Sequence, residues 1–458
     1  MKRVTDILGR NLWIFIVLLG LAFVNVSCDD DDDDNSGNEK PLPEESMTIT
    51  DIAAGNADFS ILVAALKKAG LDDDLATKDA SLTVFAPTNT AFEDLLEELG
   101  VAGLDDIPND VLTDVLLYHV TTGTNKASMI ATGYYSTMSS GPVDGYGLSF
   151  YVDMEMAMIN SRARITATDI EADNGVIHVI DKVMLPMSIT DHAVANPAFS
   201  SLVAGVTKAD LAGALDDDEA SFTVFAPTND AFNDFFTELG IGLDDLSAET
   251  LSSVILYHAL GDVVPASMVE AGYVSTLSTA YERAINLKID TEGGVFLNGD
   301  SEVIATDVVA TNGIIHAINK VIMPPTVVDI AIDNPDFSTL VAAVVKAELA
   351  TTLSGDGPFT VFAPTNAAFE QVFADLGVSG IDPLTKDDLT PILLAHVVSG
   401  NVASNGLSNG NVPTLNTEKS LAVNIDNGVT IDETINVVAP DIQGVNGIIH
   451  VIDKVIVP

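Results

Sequence analysis

Apolar residues recur along this chain first at helical spacing and then at strand spacing, in the same order three times. Phe59, Leu62, Val63 and Leu66 fall at i, i+3, i+4 and i+7, which predicts an apolar stripe on a helix that Gly70 can end. The stripe returns as Phe199, Leu202, Val203 and Val206, and again as Phe337, Leu340, Val341 and Val344. Leu82 to Ala86 is β-branched and aromatic and reads as a buried strand; Pro87-Thr88-Asn89 stops it and supplies side-chain oxygens to cap a second helix. Phe92, Leu95, Leu96 and Leu99 form the apolar stripe of that helix. Leu112, Val115, Leu116 and His119 predict a third, with the histidine in a core-facing slot. Short runs such as Leu148 to Val152 and Arg164 to Ala167 then alternate with glycine, asparagine and aspartate, and each unit closes on a dense apolar strand ending in proline. Helices first and a sheet afterwards predict an α+β fold.

Three segments mark each unit: Thr83 to Asn89, Tyr118-His119 and Asn174 to Val183 in the first, Thr223 to Asn229, Tyr257-His258 and Asn312 to Val321 in the second, Thr360 to Asn366, Ala395-His396 and Asn446 to Val455 in the third. The interval, about 135 to 140 residues, suits an independent domain and is far too long for a solenoid repeat. The predicted domains are 47–186, 187–324 and 325–458.

The segment before these domains is different in kind. Met1-Lys2-Arg3 is basic and Leu12 to Val26 is largely apolar, which fits a signal peptide over residues 1–27 and is too short for a comfortable membrane span. The single cysteine, Cys28, stands directly after it, where lipidation is expected, with Asn25 in place of the usual leucine three residues before. An acylated Cys28 leaves no thiol, which excludes disulfides and cysteine chemistry. Asp29 to Asp34 open an acidic, flexible tether over residues 28–46. A cysteine followed at once by acids resembles the export signal of Bacteroidetes surface lipoproteins. That implies an outer-membrane, cell-surface location, with the periplasmic face as the alternative.

Charge removes some partners. The formal net charge is −48, which repels nucleic acid and anionic head groups, so contact with the membrane is expected through the lipid anchor only. Asp72 to Asp74 and Asp216 to Asp218 read as solvated turn acids, with adventitious calcium as the alternative. No zinc or calcium motif is present, so no metal or other cofactor is expected.

Six of the seven histidines sit in the repeated segments among Leu, Val and Ile: His119, His258 and His396, then His178, His316 and His450. They read as structural pins, since a buried imidazole is tolerated when both nitrogens find partners. The seventh, His192, stands where the other units have Ile52 and Ile330 and reads as a surface change. There is no nucleophile elbow, phosphate loop or cysteine nucleophile, and carboxylate pairs are the only enzymatic possibility; the expectation is a non-enzyme. Tyr134-Tyr135, Tyr146 and Phe150-Tyr151 in the first unit are candidates to face a partner, whereas Met154, Met156 and Met158 read as core.

These segments resemble those of the fasciclin (FAS1) domain family over roughly residues 47 to 458. The resemblance implies three tandem domains, each a β-sheet wedge with a layer of helices, and it implies extracellular adhesion to cell-surface or matrix protein or to glycan, with weak self-association also open. In animal relatives the Tyr-His segment and an Asp-Ile pair before the closing strand are associated with cell binding. Matched here, the candidate adhesion residues are Tyr118, His119, Asp169, Ile170, Tyr257, His258, Asp307, Asp441 and Ile442; Val308 and Ala395 depart from the pattern. The expected function is multivalent adhesion by a lipid-anchored surface protein. A carbohydrate-capture lipoprotein of an outer-membrane uptake system is the alternative, and a hydrolase is third. If the histidines are pins, His178→Ala should lower the thermal unfolding midpoint of the first module; normal stability with lost binding would contradict that assignment.

Overall fold

The structure, a computed structural model, describes residues 47–458. The signal-peptide, Cys28 and tether assignments lie outside the described residues. Among the described residues there are three seven-stranded mixed sheets, one per repeat, each covered by helices, and this is the α+β class.

In the first module the predicted helices form at Ser60–Ala69, Asn89–Leu99 and Asn109–Tyr118, preceded by a short helix at Ile49–Gly55. Local chemistry sets their ends. Thr48 and Asp51 make a reciprocal capping box, Thr88 accepts from the Ala91 amide, and Gly70 and Gly100 take left-handed conformations that terminate the helices. Asn89 also fastens one helix to another: its Oδ1 accepts from the Ile61 amide and its Nδ2 donates to the Ala57 carbonyl, both at 2.9 Å.

The sheet runs in the order Val120–Thr122, Leu82–Pro87, Gly175–Ile180, Ala163–Ala172, Met158–Ile159, Gly147–Asp153, Gly133–Ser140. Its second and third strands are parallel, Leu82 facing Gly175 and Pro87 facing Ile180, whereas the other pairs in this sheet are antiparallel. The first strand therefore waits for the last strand of its own module, and the second and third modules repeat this pairing between Phe222–Pro227 and Gly313–Ile318 and between Phe359–Pro364 and Gly447–Ile452. Gly175 permits the approach, since a Cβ there would lie 2.0 Å from the Leu82 carbonyl oxygen.

The two faces of this parallel pair bury two cores, as the period of two along a strand requires. Val84, Ala86 and Ile177 pack with Phe59, Leu62, Phe92 and Leu116 beneath the helices. Phe85 points the other way, edge-on to Phe150 with centroids 5.3 Å apart, and Tyr135 stacks on Phe150 at 5.7 Å. Phe150 and Tyr151, expected as partner-facing candidates, are both buried, Phe150 in this second core and Tyr151 on the opposite face of its strand against Tyr134. Met156, expected in the core, is instead 58% exposed, because the turn after Asp153 carries it outward.

His192 corrects a second expectation. It is fully buried on the helix Ile189–Ala195, and burial lowers its pKa to about 4 against the opposing pull of Asp191 and the Val309 backbone. Its position repeats that of Ile330, so the slot faces the core in both modules and the polar residue followed its helix inward. Asp216 is likewise more than a solvated acid, since its carboxylate accepts from the hydroxyls of Ser188 and Thr190 at the start of that helix.

Asn174 ties the layers together. Its Oδ1 accepts from the Ile49 amide at 2.9 Å while its Nδ2 donates to the carbonyls of Leu75 and Thr77, and Asn312 and Asn446 repeat the arrangement. Asn174→Ala would strand buried backbone groups and should cost about 2–4 kcal/mol; chemical denaturation of the first module's transition checks the value.

Candidate functional site

Each module repeats the same two buried histidines, with opposite hydrogen-bonding assignments. At the end of the third helix, His119 Nδ1 meets the Val115 carbonyl at 2.7 Å and Nε2 meets the Met184 amide at 2.8 Å. A carbonyl only accepts and an amide only donates, so the ring is neutral with its proton on Nδ1. The His119 carbonyl also accepts from the Phe85 amide, which joins helix end, first strand and closing segment at one residue. His258 and His396 repeat every contact, to Val254 and Ile322 and to Ile392 and Ile456. Burial lowers all three to about 4, against the opposing effect of the carbonyl bond.

The closing-strand histidines take the other tautomer. His178 Nδ1 accepts from the Asp169 amide at 3.4 Å, and Nε2 donates to the Asn125 carbonyl at 2.9 Å. Thr83 Oγ1 accepts from the Asn125 amide at 2.8 Å, so both polar groups of that loop residue are held from beneath. His316 and Thr223 hold Val264 in the same way, as His450 and Thr360 hold Val402.

The Asp-Ile pair completes this network. Asp169, Asp307 and Asp441 sit at bulges with φ of 61, 61 and 69°, a left-handed conformation that aspartate tolerates better than most residues. Their carboxylates accept from the amides of Ala127, Ala266 and Ser404 at 2.8, 2.9 and 2.7 Å. Each aspartate thus braces the short helical turn that rides on the histidine-held loop.

These contacts divide the candidate adhesion residues. Tyr118, His119, Tyr257, His258 and Ile442 are buried, with no side-chain surface to offer a partner. Tyr118 Oη donates to the Ser149 carbonyl at 2.6 Å and accepts from Asn160, and Tyr257 does the same with Asn286 and Asn298. In the third module Ala395 removes that hydroxyl, and Asp432, which takes the turn position of Asn160, pairs with Lys419 at 2.9 Å. Asp169 is exposed, while Ile170, Asp307 and Asp441 are half-buried.

Sequence reasoning missed what lies beside these aspartates. The braced turns Ala127–Met129 and Ala266–Met268 present Met129 and Met268 to solvent at 64% and 63% exposure. The signal was the repeated Ala-Ser-Met, which lies outside the three marker segments. The corresponding turn of the third module, Ser404–Gly406, has glycine instead, and there Asp441 lies 3.7 Å from Arg283 of the second module. Other contacts join these two modules: Gln443 donates its amide to Asn286 Oδ1 at 2.8 Å, and Lys288 donates to the Asp333 carbonyl at 2.8 Å. Among the described residues no group of three His, Cys, Asp or Glu side chains gathers where it could hold a metal.

A thrice-repeated α+β module with one internal histidine network defines the class as a tandem array of like domains. The chain belongs to the fasciclin domain family, whose model matches residues 57–186, 197–324 and 335–458. Protein sll1483 of Synechocystis is 44% identical over 133 residues, 29% of this chain and 73% of that protein. Transforming growth factor-beta-induced protein ig-h3 of Sus scrofa is 29% identical over 87% of this chain, and human periostin 30% identical over 92%; the chain spans 56% and 48% of their lengths. The FAS1 domain pair of the insect cell adhesion molecule fasciclin I aligns at 16% identity over 57% of this chain and 97% of its own, with a TM-score of 0.36.

The neutral histidines predict an acid limb. A base whose pKa is lowered on folding contributes full stability above its unfolded value, near 6.5, and loses it as pH falls toward 4, at about 1.4 kcal/mol per pH unit for each group. His119, His192, His258 and His396 all act in this direction. Asp333, pushed up to about 6 chiefly by burial and then by Asp329, and Asp114, raised by burial and then by Asp110, oppose them. Unfolding midpoints measured from pH 7 to 4 should therefore fall, and His192→Ile should make the fall shallower in the second module.

Proposed function

We propose that this chain is a cell-surface adhesion protein, lipid-anchored through Cys28 at the outer membrane, whose modules engage cells, matrix protein or polysaccharide together. The observation that carries the reading is the exposed rim of the first two modules. Large apolar side chains, Met129 and Met268, stand in solvent on turns that are fixed from beneath by a threonine, a histidine and an aspartate. Scattered exposed methionines need no explanation, but the same residue at the same braced position in two modules is a presented contact. Methionine suits such a role because its flexible, polarizable chain adapts to different partner surfaces. Weak contacts at separate modules then combine through effective concentration, and the surrounding negative field keeps non-specific association low.

The rim is testable without disturbing the fold. The double variant Met129→Asp, Met268→Asp, displayed on cells in place of the native chain, should lower attachment about five-fold or more, the loss of an interface anchor of roughly 1 kcal/mol or more. Its unfolding midpoints should stay unchanged. Native attachment across several surfaces and partner cells would count against the rim.

A further inference from the structure

We infer that the cleft between the second and third modules is a binding site for a neutral, hydroxyl-rich ligand, a short segment of uncharged glycan. The inference builds on the adhesive reading by naming a ligand class and a place. The cleft has a volume of about 500 Å³, and Tyr273 and Asn286 come to it from the second module while Asn334, Asp336, Thr365 and Pro440 come from the third. Volumes of this order hold small ligands, and domain junctions are where such sites recur. A volume of this order accepts two or three sugar rings.

Its walls are held in place. The Asn286 carboxamide oxygen accepts from the Gln443 backbone amide across the junction, and Arg283 faces Asp441, so the bulge of the third module is turned into one side of the cleft. The polar groups that remain are of both kinds. Tyr273 Oη accepts from Asn334 Nδ2 at 3.4 Å, which leaves its own proton to donate. Burial pushes its pKa up to about 12, so the hydroxyl stays neutral at any physiological pH. Thr365 Oγ1 accepts from the Ala368 amide and likewise keeps a proton to give. The exposed Asp336 carboxylate accepts. Exposed Pro440 and its neighbour Val438 add an apolar strip of the kind that packs against the C–H face of a pyranose.

Charge narrows the class. None of the lining residues is cationic, Arg283 beside the cleft offsets Asp441 but Asp336 also borders the space, and the chain carries −48 overall, so sulfated or uronic ligands are repelled. A ligand whose hydroxyls both donate and accept, and which carries no charge, satisfies the whole set.

The test uses the full chain with maltotriose, cellotriose and triacetylchitotriose as probes and trigalacturonate as the acidic control, read by saturation-transfer difference NMR and calorimetry. At least one neutral trisaccharide should bind while trigalacturonate does not. Tyr273→Phe and Asp336→Ala should each weaken that binding about ten-fold, one hydrogen bond's worth, with unchanged circular dichroism and unfolding midpoints. Absence of binding by all three neutral probes at millimolar concentration overturns the proposal, as does binding that both variants retain in full, or preference for the acidic probe. A chain that attaches to cells yet binds no neutral sugar overturns the cleft alone; one that binds sugar through Tyr273 and Asp336 without attaching leaves the cleft standing and overturns the adhesive reading.

Discussion

The parallel pairing of the first and last strands of each module is the constraint on which the other features depend. Parallel neighbours need a crossover, and here the crossover is more than half of the domain, from Pro87 to Gly175 in the first module. Chain entropy opposes a closure of this length, and only contacts made after closure can offset it. The residues repeated three times are those contacts. Gly175 lets the strands meet, Asn174 carries the hairpin to the opening helix, and His119 draws the closing segment to a helix end.

Histidine suits this work for a chemical reason. A neutral imidazole has one donor and one acceptor on a rigid ring, and it is apolar over most of its surface. Each module uses both tautomers: the helix-end ring donates to its own helix and accepts from the closing segment, and the closing-strand ring accepts from the bulge and donates to the loop. In a low dielectric these bonds are strong, and a proton added to either ring would set two donors face to face. Protonating a helix-end ring breaks its bond to the closing segment, which links the acid sensitivity of the fold to its topology.

The helices and their ends were legible because stripes and caps are local. Phe59 to Leu66, Thr88 and Gly70 needed no knowledge of the rest of the chain. Strand partners were not legible, since a buried apolar run such as Leu82 to Ala86 carries no mark of its neighbour. Apolar neighbours in the sequence marked six histidines as core residues, but gave no sign of their hydrogen-bond partners, which come from segments far apart in the chain. His192 was misread because a single polar residue outside the marker segments looked like a surface change, although the helical slot it shares with Ile330 already pointed inward. Met156 failed in the opposite sense, because alternation along a strand was extended into a turn. For the site, Asp169 and Asp307 were legible through the family resemblance, whereas the methionines beside them were not.

The three modules share their interiors more closely than their rims, and that difference bears on function. Where the first two modules place tyrosine, asparagine and an exposed methionine, the third has Ala395, Asp432 paired with Lys419, and Gly406. Its bulge aspartate faces Arg283, and its strand meets Asn286, both from the module before it. The modules are therefore unequal: two carry an exposed methionine on the braced turn, and the third has become part of a junction with the second. Repetition supplies the scaffold, and the departures from it decide what each module can hold.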